Sequence, residues 1–110
     1  MQIIEENLQT VRVLMPVGRI DASCSGEIKD KVQSLIDAGQ TRLLIDLGGV
    51  EFIDSSGLGA LVFCLNSVTK AGGKLKICDI QENPKQVFEM TRLDRVFEVF
   101  DDRDDAMGGF

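Results

Sequence analysis

The chain has 110 residues, 44% hydrophobic and 27% charged, enough to bury the core of one compact domain and too few for two. A net charge of −6 repels nucleic acid and anionic membranes, no Lys/Arg cluster overrides it, and six scattered Phe without Trp or Tyr make no stacking platform. The longest uncharged apolar stretch, Ser55 to Thr69, holds Asn66 and Ser67 and is too short and too polar to span a bilayer.

The start, Met1-Gln2-Ile3-Ile4-Glu5-Glu6, has no basic segment leading into an apolar one, so no signal peptide is read and a cytoplasmic protein is expected. Gln2 to Glu5 reads as a short strand, with Asn7 suited to the turn after it. From Gln9 to Val17, the residues Val11, Val13 and Met15 alternate with Thr10 and Arg12, which predicts a second strand in a hairpin with the first. Pro16 cannot donate to a ladder, so an edge or a bulge is expected there. Asp21, Ser23 and Ser25 are each able to cap the helix that follows. In that helix Ile28, Val32, Leu35 and Ile36 fall at helical spacing, and Gly39 is a natural stop. Arg42 to Leu47 has the continuous apolar character of a buried parallel strand. Gly48-Gly49 and the strand-like Val50-Glu51-Phe52-Ile53 lead into the turn Asp54-Ser55-Ser56-Gly57.

Beyond the turn, Leu58, Leu61, Val62, Leu65 and Val68 mark one face of a helix ending at Gly72-Gly73. Leu75 to Cys78 is the next strand. Asn83-Pro84 reads as a cap followed by proline at the first helical position, opening a third helix that turns Val87, Phe88 and Thr91 inward. Val96 to Phe100 is a last strand. Asp101, Asp102, Asp104 and Asp105 suit the start of a short helix, and Gly108-Gly109-Phe110 is expected to fray. The order β-β-α-β-α-β-α-β(-α) predicts one α/β domain over residues 1–110. Its sheet is mixed but mostly parallel, with helices packed on it by right-handed crossovers.

Residue inventory excludes the commonest catalytic arrangements. There is no histidine, so neither a Ser-His-Asp nor a Cys-His arrangement exists, and the turn is not the G-x-S-x-G of a nucleophile elbow. A Ser-Lys dyad stays formally open, but no lysine lies near the turn in sequence. Gly57-Leu58-Gly59 lacks the third glycine of a dinucleotide fingerprint, and Gly72-Gly73-Lys74 follows a helix instead of opening one. Cys24, Cys64 and Cys78 form no C-x-x-C pair and read as reduced, partly buried thiols, so no zinc site is expected. Asp21, Asp46 and Asp54 could gather at one end of the sheet and hold a divalent ion; capping helices and solvating loops is the preferred reading. No catalytic residue, cofactor or metal is assigned.

The Asp54-Ser55-Ser56-Gly57 turn holds two hydroxyls at a helix N-terminus, where free N–H groups and the dipole accommodate an added phosphate. Gly57 and Gly59 would leave room for an approaching partner. The competing reading is that one serine is simply an N-cap.

The segment from Val50 to Leu61, with its Asp54-Ser55-Ser56-Gly57-Leu58-Gly59 core, resembles the STAS-domain anti-sigma factor antagonists. Gly18-Arg19-Ile20-Asp21-Ala22, Ala71-Gly72-Gly73-Lys74-Leu75 and Val87 to Leu93 are similar to other segments of that family. The resemblance runs from about Ile3 to Phe100 and implies a single STAS domain with a core of about residues 3–106. It further implies a partner switch without enzymatic activity. The unphosphorylated chain binds an anti-sigma factor that is also a serine kinase and so releases the sigma factor; ATP-dependent phosphorylation ends the interaction, and a serine phosphatase restores it. The family's phosphoacceptor matches Ser55, and Asp21, Asp54, Ser56 and Gly57 match the partner-binding surface. Pro16 and a shortened C-terminal helix depart from the family pattern. A STAS scaffold and a small-ligand-binding module of another signalling assembly are the alternatives, the latter weakened by the lack of basic residues near the turn.

Overall fold

In the computed structural model, which describes residues Met1 to Phe110, the chain opens with an antiparallel hairpin of β1 (Gln2–Leu8) and β2 (Val11–Ile20). Pairing runs from Gln2 with Val17 to Leu8 with Val11, and the turn is Gln9-Thr10 with Gln9 at φ 58°. Asn7, expected in the turn, lies inside β1. Its side-chain oxygen accepts from Arg12 Nε across the hairpin, which holds it in the ladder.

The rest of the chain adds α1 (Ser25–Asp37), β3 (Arg42–Asp46), β4 (Val50–Ile53), α2 (Ser55–Lys70) and β5 (Lys74–Cys78). Then come α3 (Glu82–Met90), a 3-10 turn (Leu93–Arg95), β6 (Glu98–Phe100) and α4 (Arg103–Met107). The strand order is β1-β2-β3-β5-β6, with β4 paired to β2 off this path. Every pair except β1–β2 is parallel, so the expected mixed, mostly parallel α/β sheet is the fold. No helix is long and apolar enough to cross a membrane.

β2 is the hinge of this topology. Arg12 to Leu14 pair with β3, and Gly18 to Ile20 pair with β4. Pro16 sits between the two pairings, buried in an interior strand and not at an edge, where no ladder to β3 or β4 requires its missing N–H. The irregularity comes two residues later, between Gly18 and Arg19, with Gly18 at φ 103°.

Side-chain alternation along the strands builds two cores. Leu14, Leu43, Ile45, Leu75 and Ile77 point to one face and join Ile28, Val32 and Leu35 of α1, Leu58, Leu61 and Val68 of α2, and Phe88 of α3. Val11, Val13, Leu44 and Cys78 point to the other face and meet Ala106 of α4.

Three helix-end expectations are corrected. The cap position of α1 is Cys24, which makes no side-chain cap bond, so none of Asp21, Ser23 and Ser25 occupies it. α3 starts at Glu82 after Gln81, putting Pro84 third in the helix instead of first. The first-turn N–H groups have no intrahelical acceptor, so proline is tolerated there. Thr91 is exposed and turns its hydroxyl back to the Val87 carbonyl at 2.7 Å instead of packing inward.

The end of the chain also departs from expectation. The last strand spans only Glu98–Phe100: Val96 is 54% exposed, while Phe97 leaves the ladder to pack on Phe88, ring centroids 5.6 Å apart. Gly108 to Phe110 are anchored by Lys76, a lysine only 2% exposed. Its ammonium donates to the carbonyls of Ala106 (2.9 Å) and Gly108 (2.8 Å) and lies over the rings of Phe100 and Phe110. Burial pushes the Lys76 pKa down, and the carbonyls and π faces are what offset its lost hydration. The expected short final helix is present as α4, capped by Asp102, whose carboxylate accepts from the Asp105 amide at 2.8 Å.

Candidate functional site

Ile20 and Ile53 are register partners at the ends of β2 and β4, so the residues after them, Asp21 and Asp54, leave the sheet side by side. The Asp54 amide donates to the Ile20 carbonyl at 3.2 Å, tying the two exits together. Residues 33 apart in sequence thus open one surface.

On the Asp21 side, the amides of Cys24 and Ser25 donate to the Asp21 carbonyl, closing a tight turn. The Asp21 carboxylate accepts from the Ser23 hydroxyl and from the Ser23 amide at 3.0 Å. Those two donors, with a smaller contribution from nearby Arg19, hold its pKa below the usual carboxylate value, so it is anionic at neutral pH. Arg19 itself lies over the Phe52 ring at 4.4 Å, a cation the topology brings close to the turn. The motif Gly18-Arg19-Ile20-Asp21-Ala22 alone does not reveal this placement of Arg19, because the ring it lies over comes from β4.

On the other side, Asp54 is the N-cap of α2. Its carboxylate accepts from the Gly57 amide at 2.9 Å. Neither serine is the cap: Ser55 and Ser56 are both exposed, and their hydroxyls make no hydrogen bond within the chain. Gly57 is buried, contrary to the expectation that it leaves space for a partner. A Cβ there would sit 2.3 Å from the Ile20 carbonyl oxygen, so Gly57 lets the start of α2 lie against the end of β2. Gly59 differs. It is exposed, and a Cβ on it would meet nothing within 4 Å.

The third acid does not join this surface. Asp46 ends β3, accepts from the Gly48 amide at 2.8 Å and from Arg103 at 3.0 Å, and neighbours Asp79 and Cys78. The Gly48-Gly49 turn and then β4, paired along β2, intervene before Asp54 is reached, which separates the two acidic groups. The expected gathering of Asp21, Asp46 and Asp54 is therefore not formed. The three cysteines are free and buried; burial pushes the Cys64 thiol up to about 12 and the Cys78 thiol up as well, which makes both poor nucleophiles and ligands.

A profile of the STAS domain matches residues 2–106. An anti-sigma-B factor antagonist of Bacillus subtilis is 29% identical over 96 residues, 87% of this chain and 86% of that protein. A candidate anti-sigma factor antagonist of Thermotoga maritima is 30% identical over 98 residues, 88% of this chain and 87% of that one. A crystal structure of a candidate anti-sigma factor antagonist from Thermotoga maritima superposes with a TM-score of 0.89 at 27% identity, covering 96% of this chain and 91% of its own.

Proposed function

This chain belongs to the STAS domain family, and we propose that it is an anti-sigma factor antagonist switched at Ser55. The whole chain works as one STAS domain. In its unphosphorylated form it docks on an anti-sigma factor with serine kinase activity, and the sigma factor is released. Transfer of the ATP γ-phosphoryl group to the Ser55 hydroxyl ends the docking, and a serine phosphatase resets the chain. The domain itself catalyses nothing; the kinase supplies the chemistry.

One observation carries this reading. Asp54 takes the capping duty, so the Ser55 hydroxyl stands at the first position of α2 exposed and unbonded. A serine serving as cap would have to surrender its hydrogen bond before modification. Asp21, Asp54 and Ser56 flank Ser55 on the docking face, while Gly57 supports it from inside.

Charge explains the direction of the switch. A phosphate adds about −1.5 to −2 at neutral pH. At the start of a 16-residue helix it meets the positive end of the dipole, so the fold survives. Against a docked partner it joins two carboxylates on a surface stripped of water, where an unpaired dianion costs several kcal/mol and each ~1.4 is tenfold in affinity.

The test starts from a pull-down with the purified chain in extract of its native host, with and without ATP. The captured kinase is then incubated with the chain and ATP, and the product is mapped by mass spectrometry. Phosphate on Ser55, absent from Ser55→Ala and retained in Ser56→Ala, is the expected result. The reverse pattern refutes the assignment of Ser55.

A further inference from the structure

On the sheet face away from α2, α4 covers only part of the strands. Beside it lies a cavity of about 560 Å³, within the range that small molecules occupy. Its floor is apolar and comes from the hairpin: Ile4, Met15, Pro16 and Val17. Ile4 is 44% and Val17 42% exposed, two of the six large hydrophobic side chains that the chain leaves in solvent. The opposite wall is polar and carries Asp46, Asp79 and Arg103.

The charge of that wall is unbalanced. Arg103 is shared between Asp46 at 3.0 Å and Glu6 at 2.6 Å, so one cation serves two carboxylates. Asp79 has no cationic partner. Its carboxylate and that of Asp46 have oxygens within 4.8 Å of each other. Oxygens that close can share one ammonium nitrogen, at about 2.8 Å from each. Gly48 lies between the two acids; a Cβ there would stand 3.0 Å from the Asp46 carboxylate and 3.5 Å from the Asp79 Cβ, so glycine keeps the gap open.

We propose that this cavity is a binding site for a small apolar amine, with the ammonium held between Asp46 and Asp79 and the hydrocarbon body lying on Ile4, Met15 and Val17. The two halves of the site select together. The carboxylates reject anions, and the apolar floor gives a hydrated metal ion nothing to bind. The third group near the acids, the Cys78 thiol, is buried and protonated, which leaves a metal with two carboxylate ligands only. None of Asp21, Asp54, Ser55 and Ser56 lines the cavity, so the site is separate from the switch proposed above.

Titration of n-hexylammonium into the ¹⁵N-labelled chain, followed by amide chemical shifts, tests the proposal. Saturable shifts of Ile4, Val17, Gly48, Gly49 and Asp79 are expected. In Asp79→Asn the affinity should fall at least tenfold with the melting temperature unchanged, because Asn accepts the φ of 57° that Asp79 adopts. Hexanoate should produce no saturable shift. Equal response to neutral hexanol would overturn the role of the acids, equal affinity in Asp79→Asn would overturn the ammonium position, and absence of saturation would overturn the site. Displacement of the amine by millimolar Ca²⁺ would reassign the acids to a metal.

Discussion

The Gly57 amide donates to the Asp54 carboxylate at 2.9 Å, and this one bond settles which residue caps α2. An aspartate at the cap satisfies an N–H group that the helix cannot, and complements the dipole at the same time. It also leaves both neighbouring hydroxyls unengaged.

Replacing Asp54 by Ala should therefore cost about 1 kcal/mol of stability, while Asp54→Ser, which keeps a capping oxygen, should cost less. Urea denaturation midpoints at neutral pH measure both. Equal loss in the two variants would mean that the carboxylate charge, not the cap, is what matters.

The two glycines of the turn should respond in opposite directions to the same change. Gly57→Ala places a methyl group against the Ile20 carbonyl, a backbone atom that cannot step aside, and should destabilise by about 1–3 kcal/mol or more. Gly59→Ala adds a methyl group into open space in a helix interior and should stabilise by about 0.5–1 kcal/mol. Thermal and urea unfolding of the pair, read together, check the packing at the head of α2.

Ser55→Asp should leave stability almost unchanged and weaken kinase binding at least tenfold. At the first position of α2 a carboxylate gains about 0.3–1 kcal/mol from the dipole, offset in part by the adjacent Asp54 and Asp21. On the proposed docking face, which carries those acids, the same charge meets desolvation and repulsion. Melting temperature and kinase affinity should be measured on the same preparation. A variant that melts many degrees lower would make the switch a folding change. One that keeps full affinity would take Ser55 out of the interface.

A pH effect is expected at Glu5, which links the hairpin to α1 through Lys31 at 2.7 Å and to β2 through Arg12 at 2.8 Å. The Lys31 hydrogen bond, helped by Arg12, holds its pKa below the ordinary 4.5. A carboxylate whose folded pKa is depressed stabilises the fold above its unfolded pKa, and that stabilisation is lost as pH falls through the folded value. Glu5→Gln should thus lose up to about 1 kcal/mol at neutral pH, the size of a partly exposed ion pair. Denaturation repeated at stepwise lower pH should bring variant and wild type together. A gap that stays constant would trace the loss to packing of the side chain instead.

Much of the architecture is legible in residue patterns. The helical spacing of Ile28, Val32 and Leu35, and of Leu58, Leu61 and Val68, gave the faces that are buried, and Gly39 and Gly72 stop their helices at φ 84° and 79°. The alternation in β2 and the apolar run of β3 gave strand and burial. Boundaries were less legible where a tertiary partner sets them. Asn7 stays in β1 through Arg12, Phe97 leaves β6 for Phe88, and Gly108 to Phe110 are held by Lys76. The Lys76 contact spans 32 residues and lies outside any local window, while Asn7–Arg12 and Phe88–Phe97 each join two different elements whose packing local propensity does not reveal.

The candidate site divides along the same line. The sequence alone determined that a turn with two hydroxyls opens α2, that no histidine-based chemistry is available, and that acids surround the turn, since these follow from residue identity and neighbours in the chain. Only the tertiary structure decided which acids belong there. Parallel pairing of β2 with β4 brings Asp21 beside Asp54, while Asp46, at the end of β3, is left beside Arg103 and Asp79. It also decided the duties inside the turn, because Asp54 and not a serine takes the cap, and Gly57 is required by Ile20. The cap spans only three residues, but which side chain takes it is a matter of atomic distance, and the approach of Asp21 to Asp54 across 33 residues exists only once the sheet has formed.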